Sequence, residues 1–236
     1  LFSELLHART IVSDVALNRY SSLVAPLGAR FCASAVTAFA RLLTGVRGDW
    51  RGCLPEKRPR IYFANHRSHG DFVLIWTVLP AALRRQTRPV AAEDYWGRGG
   101  LRHLIGEHVF KAVLVAREAA TRDSDPVAPL AAALDAGASL ILFPEGTRNT
   151  GAAPLLPFKS GLFRLARARP EVELVPVWID NLNRVLPKGE IVPVPLLCTV
   201  AFGAPLVLGA DEGSMPFRER ARQALLALAP PVEAQA

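Results

Sequence analysis

The run Ile61-Tyr62-Phe63-Ala64-Asn65-His66-Arg67-Ser68-His69-Gly70-Asp71-Phe72-Val73-Leu74-Ile75-Trp76 decides how the rest of the chain is read. Its first four residues are a short apolar run of the kind that makes a buried strand, and its last five read as the start of a buried helix. The polar heptapeptide Asn65–Asp71 therefore occupies a strand-to-helix turn. In an open α/β sheet, ligands bind outside the carboxyl ends of the strands, where such turns lie. His66 and Asp71 are five residues apart, roughly 140° around a continuous helix of 3.6 residues per turn. They meet only if His66 lies in the turn and Asp71 in the first helical turn. An imidazole held by a carboxylate is a general base fixed in one tautomer and orientation. A purely structural reading stands beside this one. Ser68-x-x-Asp71 before an apolar run is also a capping-box pattern, with Ser68 as N-cap and Asp71 at N3. His66 alone reads equally well as a hydrogen-bonded loop histidine.

A second stretch, Leu140-Ile141-Leu142-Phe143-Pro144-Glu145-Gly146-Thr147-Arg148-Asn149, repeats the arrangement. An apolar strand again breaks into a Pro/Gly turn that carries one acid and one base. Together the two stretches resemble the glycerophospholipid acyltransferase family, that of the 1-acyl-glycerol-3-phosphate acyltransferases. The family's Asn-His-x-Ser-x-x-Asp block is matched by Asn65, His66, Ser68 and Asp71, and its Phe-Pro-Glu-Gly-Thr-Arg block by Phe143 to Arg148. A Val-Pro-Val block falls on Val175-Pro176-Val177. The intermediate block fits less well: Val113, Val115 and Arg117 agree, but Lys111 stands where a glycine is expected. The resemblance spans about residues 60 to 180, with the two main blocks about 75 residues apart.

The resemblance implies an O-acyltransferase of phospholipid biosynthesis. It would move a fatty acyl group from an acyl thioester to the free hydroxyl of 1-acyl-glycerol 3-phosphate, making phosphatidic acid. Acyl-CoA or acyl-carrier protein is then the donor substrate, and no cofactor or metal is implied. Such a step needs a base to take the hydroxyl proton, worth about 10²–10⁴-fold in rate. His66 fills that role, with Asp71 orienting the ring, and the substrate hydroxyl stands where a serine protease has its serine. Ser68 and Ser160 then read as turn or cap residues. Oxyanion donors are expected among the backbone N–H groups at the start of the helix that follows. The expected substrate-binding residues are Glu145, Gly146, Thr147, Arg148, Arg117 and Lys159. Arg148 offers a planar, bidentate fork for a phosphate, and Gly146 lets the turn bring it close to the sheet edge. Lys159 stands at an expected helix start, where a lysine and a helix N-terminus together make an anion site. The alternatives are an acyltransferase using glycerol 3-phosphate or another lysolipid, a metal-dependent hydrolase built on His66-x-x-His69-x-Asp71, and a membrane-binding module without catalysis.

Composition narrows the partners. A net charge of +7 favours an anionic partner such as a membrane surface or phosphorylated ligands. Nucleic acid fits poorly, because the arginines are scattered and only three tyrosines are present. Cys32, Cys53 and Cys198 lie far apart without paired spacing, as in a reducing compartment. The expected place is therefore peripheral, on the cytoplasmic face of the cell membrane. The chain begins at Leu1 and has one methionine, Met215, so it reads as a piece of a longer protein.

The resemblance, in which a membrane-associated helical region commonly precedes the catalytic domain, implies three regions: a helical, membrane-associating region over residues 1–46, an α/β acyltransferase domain over 47–229, and a tail over 230–236. The helices of the first region read also as ordinary core-packing amphipathic ones. The apolar stretch from Val15 to Val46 is interrupted by Arg19, Pro26, Arg30 and Arg41. Its longest uncharged part is far short of the ~20 residues a spanning helix needs. Residues 47–59 read as a linker. Strands are expected over 60–64, 88–92, 112–116, 139–143, 173–179 and 198–203, and helices over 69–85, 98–108, 126–137, 158–169 and 216–229. That alternation predicts a largely parallel sheet flanked by helices. Residues 181–197, with three prolines, read as a long loop, either a lid or a membrane contact.

Overall fold

The computed structural model describes Gly28 and residues 30–93, 105–115, 125–180 and 197–231. The chain divides into two compact units, residues 1–39 and 40–236, and the sheet belongs to the second. The boundary falls inside a helix over residues 30–44, α1.

Within the second unit the elements follow in order. They are β1 (Arg47–Trp50), β2 (Arg60–Ala64), α2 (Asp71–Val78), α3 (Ala81–Gln86), β3 (Thr87–Ala92), a π-helical turn (Ile105–Phe110) and β4 (Val113–Val115). After them come α4 (Ala128–Asp135), β5 (Ser139–Leu142), α5 (Gly161–Ala168), β6 (Glu173–Asp180), β7 (Thr199–Phe202) and α6 (Ser214–Leu226). The strands form one sheet in the order β1-β7-β6-β2-β5-β3-β4. From β6 to β4 every pair is parallel, and β7 runs antiparallel to β6, with β1 parallel to β7. The expected largely parallel sheet is present, with two reversed strands at one edge.

β2 sits at the centre of the parallel part, between β6 and β5. Ile61, Tyr62, Phe63 and Ala64 are all buried, so helices must cover both faces, which is why the strand reads as an unbroken apolar run. On one face Ile61 and Phe63 join Leu140, Leu142, Leu134, Leu165, Phe217 and Leu225 in the main core. Each such side chain contributes about 1.5–3 kcal/mol by leaving water. At the foot of the strand Arg60 is buried too. Its charge is tolerated because Glu173 accepts from Nε at 3.0 Å and the Leu54 carbonyl from Nη1 at 2.6 Å.

Three expectations change. Residues 47–50 are not linker but an edge strand; Arg47-Gly48-Asp49-Trp50 has no apolar alternation to betray it, and it is held by pairing with β7. The single helix expected over 69–85 is two helices. Pro80 has no N–H to continue the first and pushes Leu79 to extended geometry, φ −62°, ψ 138°. Of the helix expected over 98–108, residues 98–104 lie outside the described residues, and the rest belongs to the π-helical turn. Residues 1–27, the 181–196 stretch and the tail from 232 also lie outside them.

Candidate active site

Because β2 and β5 are neighbours in parallel register, with Phe63 opposite Leu142, the two motif turns leave the sheet side by side at its carboxyl edge. The turn after β2 is anchored first by Asn65. Its buried side chain accepts from the Ile179 N–H at 2.8 Å and donates to the Ile179 carbonyl at 2.9 Å, tying the turn to β6. His66 follows. Its Nδ1 lies 2.9 Å from Oδ2 of Asp71, and its ring stacks on Phe143 from the second turn at 4.1 Å between centroids. The His66 side chain is 20% exposed and that of Asp71 3%. With Nδ1 committed to the carboxylate, the proton sits there and Nε2 is left as the basic nitrogen.

Asp71 does not cap a helix through a capping box. α2 starts at Asp71 with Gly70 as its N-cap and no side-chain cap bond. The Asp71 carboxylate reaches back instead, taking the N–H groups of Arg67 at 2.7 Å and Ser68 at 2.8 Å besides the imidazole. Ser68 Oγ accepts from the Gly70 N–H. The sequence pattern is the same, but the acid serves the turn before the helix. One consequence concerns the oxyanion. The N–H groups of Arg67, Ser68, Gly70, Asp71, Val73 and Leu74 are all used internally, so the expected donors at this helix start do not include those six.

The turn after β5 divides its residues. Glu145 points inward and is 2% exposed. Its Oε1 accepts the backbone N–H of His66 at 2.9 Å and its Oε2 that of Leu156 at 2.8 Å. Burial pushes its carboxyl above the usual range, while those two N–H groups and the nearby His66 and Arg67 pull it back down. Gly146 has a left-handed φ of 69° and closes the turn with its N–H on the Phe143 carbonyl. Thr147 and Arg148 are exposed. Arg148 stands out in solvent and makes no ion pair with the buried Glu145. The Lys159 stem lies directly over Gly146, so that a Cβ there would come within 2.7 Å of Lys159 Cδ. The Lys159 N–H donates to the Pro144 carbonyl, just before α5 begins.

The expected residues His66, Asp71, Glu145, Gly146, Thr147, Arg148 and Lys159 thus gather at two adjacent turns, while Arg117 lies outside the described residues. Three contributors were missed. Phe143 supplies the stacking face, Asn149 donates its N–H to the His66 carbonyl at 2.7 Å, and Arg67 donates Nη2 to the Ala153 carbonyl at 3.0 Å. Asn149 directly follows a Pro/Gly turn, a place where asparagine side chains fold onto nearby backbone. It does so here, binding the Gly151 N–H and the Ala153 carbonyl. Arg67 left no such signal.

A sheet edge that presents a carboxylate-held histidine beside an exposed arginine turn defines the class. A family model described as Acyltransferase matches residues 51–180, more than half of the chain, and the chain belongs to that family. Among solved structures its fold is similar to that of the 1-acyl-sn-glycerophosphate (LPA) acyltransferase PlsC from Thermotoga maritima. The TM-score is 0.64 and the identity 19%, over 84% of this chain and 79% of that one. No curated protein matches the sequence.

Proposed function

We propose that this acyltransferase moves a fatty acyl group from an acyl thioester, acyl-CoA or acyl-carrier protein, to the free hydroxyl of 1-acyl-glycerol 3-phosphate, yielding phosphatidic acid. One observation carries the reading: His66, held by Asp71 with Nε2 left as base, lies in a turn adjacent to the one that carries the outward Arg148, after the neighbouring strand β5. The acceptor hydroxyl gives its proton to Nε2 as its oxygen attacks the thioester carbonyl. The tetrahedral intermediate then collapses, the C–S bond breaks, and the departing thiolate takes the proton back from Nε2. Asp71 stabilises the imidazolium between the two transfers. No protein nucleophile is required. Arg148 presents its fork to the acceptor phosphate, with Lys159 as a second cation from the edge of the same turn.

Both substrates carry long acyl chains, so the protein works at a bilayer, peripherally and on its cytoplasmic face. No described helix is long and apolar enough to cross a membrane. In the first unit, Phe31 and Phe39 of α1 are exposed, at 76% and 66%. Two large apolar side chains about 80° apart on one side of a helix of 3.6 residues per turn suit insertion into the headgroup boundary, with Arg30 for anionic lipid. Replacing Phe31 and Phe39 together by serine is expected to release the protein from anionic liposomes in co-sedimentation. Equal sedimentation would move the membrane contact elsewhere.

The deciding assay takes purified protein and one labelled long-chain acyl-CoA, with acyl-carrier protein thioester in parallel. The acceptors are 1-acyl-glycerol 3-phosphate, glycerol 3-phosphate and a lysophospholipid lacking a terminal phosphate, read by lipid mass spectrometry. Phosphatidic acid is the expected product. Preference for either other acceptor would correct the substrate, and no ester on any acceptor would sink the reading.

A further inference from the structure

We propose that Glu145 is a positioning residue for His66, not a ligand of the acceptor. The inference rests on the acyl-transfer reading above and departs from the expectation that this glutamate binds substrate. Its two carboxylate oxygens join two separate backbone segments. One holds the N–H of His66 itself at 2.9 Å, the other the N–H of Leu156 at 2.8 Å. On the other side of the same residue, the His66 carbonyl is held by the Asn149 N–H at 2.7 Å. The histidine backbone is therefore gripped from both sides by the turn after β5. That turn is in its own right pinned by Asn149, which is buried and bonded to Ala153 and Gly151. Phe143 then orients the ring, and Asp71 orients the ring and holds the Arg67 and Ser68 N–H groups that follow.

A carboxylate that is 2% exposed, with each oxygen already on a backbone N–H, offers almost no surface to an acceptor hydroxyl. Burying it costs several kcal/mol in general, which the two hydrogen bonds offset. The charge is thus placed for its neighbours within the fold: His66 and Arg67 face it, with the Lys159 stem over the adjacent Gly146. A base must stand within a few tenths of an ångström of its working position. A displacement of about 1 Å costs on the order of 10²-fold in rate.

Glu145→Gln tests this. Gln keeps the size but can accept only one of the two N–H groups, and its amide N–H must face the other. We expect kcat to fall about 10- to 100-fold while KM for acceptor and donor stays within about twofold. The activity-independent readout is the proton on Nδ1 of His66 in the bond to Asp71, seen downfield in proton NMR and assigned by its loss in His66→Ala. In Glu145→Gln that resonance should broaden or disappear. Glu145→Asp keeps the charge but is one methylene short of spanning both N–H groups. It should show the same pattern to a smaller degree, and it is the protein to read if the Gln variant does not fold. A rise in acceptor KM with kcat and the resonance preserved would return Glu145 to the role of ligand and overturn the proposal. So would an unchanged resonance. If the wild-type protein transfers no acyl group, the acyl-transfer reading fails by itself, and the resonance alone decides what Glu145 does.

Discussion

In the turn after β2, the described polar contacts of Asn65, His66, Ser68 and Asp71 close onto the turn, onto the next strand or onto the neighbouring turn. In the turn after β5 the polar groups split. Glu145 and Asn149 turn inward to hold the first turn, and Thr147 and Arg148 stand out in solvent. The first turn is built to keep one imidazole still, and the second to keep that imidazole still while offering a cation to something outside. Two acids that look alike in sequence, Asp71 and Glu145, are both spent on backbone N–H groups around the same histidine. The two basic residues, Arg67 and Arg148, differ: one is tied to Ala153 and the other is exposed.

The comparison breaks most readily at His66. His66→Ala is expected to lower acyl transfer by about 10²- to 10⁴-fold, the usual contribution of a positioned base, with the fold kept because the side chain lies at the sheet edge. Circular dichroism and turnover on the same sample check both halves. More than a tenth of wild-type activity would mean that the first turn does not house the base. Asp71→Asn should fall nearly as far. An amide at this position donates to Nδ1, which forces the ring proton onto Nε2 and removes the acceptor of the hydroxyl proton.

That much was legible in the sequence because both blocks are local. A strand, a turn and an acid five residues from a histidine are all read from one short stretch. What the sequence hid was long-range. Nothing at Glu145 says that its partner is a backbone N–H in another turn, since backbone amides leave no mark on residue identity. The capping-box alternative at Ser68 and Asp71 fails for the same reason: the acid takes the N–H groups before it and the His66 ring over a cap bond. β1 was missed because an edge strand that is half exposed needs no apolar alternation, and its partner β7 lies about 150 residues away. The Pro80 break, by contrast, was in plain view.

A sharper division between inward and outward residues comes from Arg148→Lys. An ammonium keeps the charge but loses the bidentate fork, so kcat/KM for 1-acyl-glycerol 3-phosphate should drop about tenfold, equivalent to about 1.4 kcal/mol. The same parameter measured against the acyl donor with a phosphate-free acceptor should hardly move. Equal losses on both sides would make Arg148 part of the scaffold, like Glu145. Gly146→Ala probes the pivot between the two sets. Its left-handed φ of 69° costs a residue with a Cβ about 1–2 kcal/mol, so thermal denaturation should occur a few degrees lower. An unchanged melting point would mean that the turn relaxes freely and does not fix where Arg148 points.

The smallest expected effect, and the finest test of the division, lies at Lys159. Its stem covers Gly146 while the residue as a whole is exposed, so packing and charge are separable in one side chain. Lys159→Met keeps an unbranched apolar stem of similar length and removes only the ammonium. If the outward half of the second turn is the acceptor site, KM for the phosphorylated acceptor should rise about two- to fivefold, as expected for one exposed ion pair worth up to about 1 kcal/mol. The rise should shrink in high salt, because an exposed charge is screened. Thermal stability should stay unchanged, since the stem over Gly146 is retained. An unaltered KM would make Lys159 a cover for the glycine turn and nothing more, and would leave Arg148 to hold the phosphate without it. A loss of kcat at constant KM would place Lys159 with the inward residues that hold His66, which its exposure argues against.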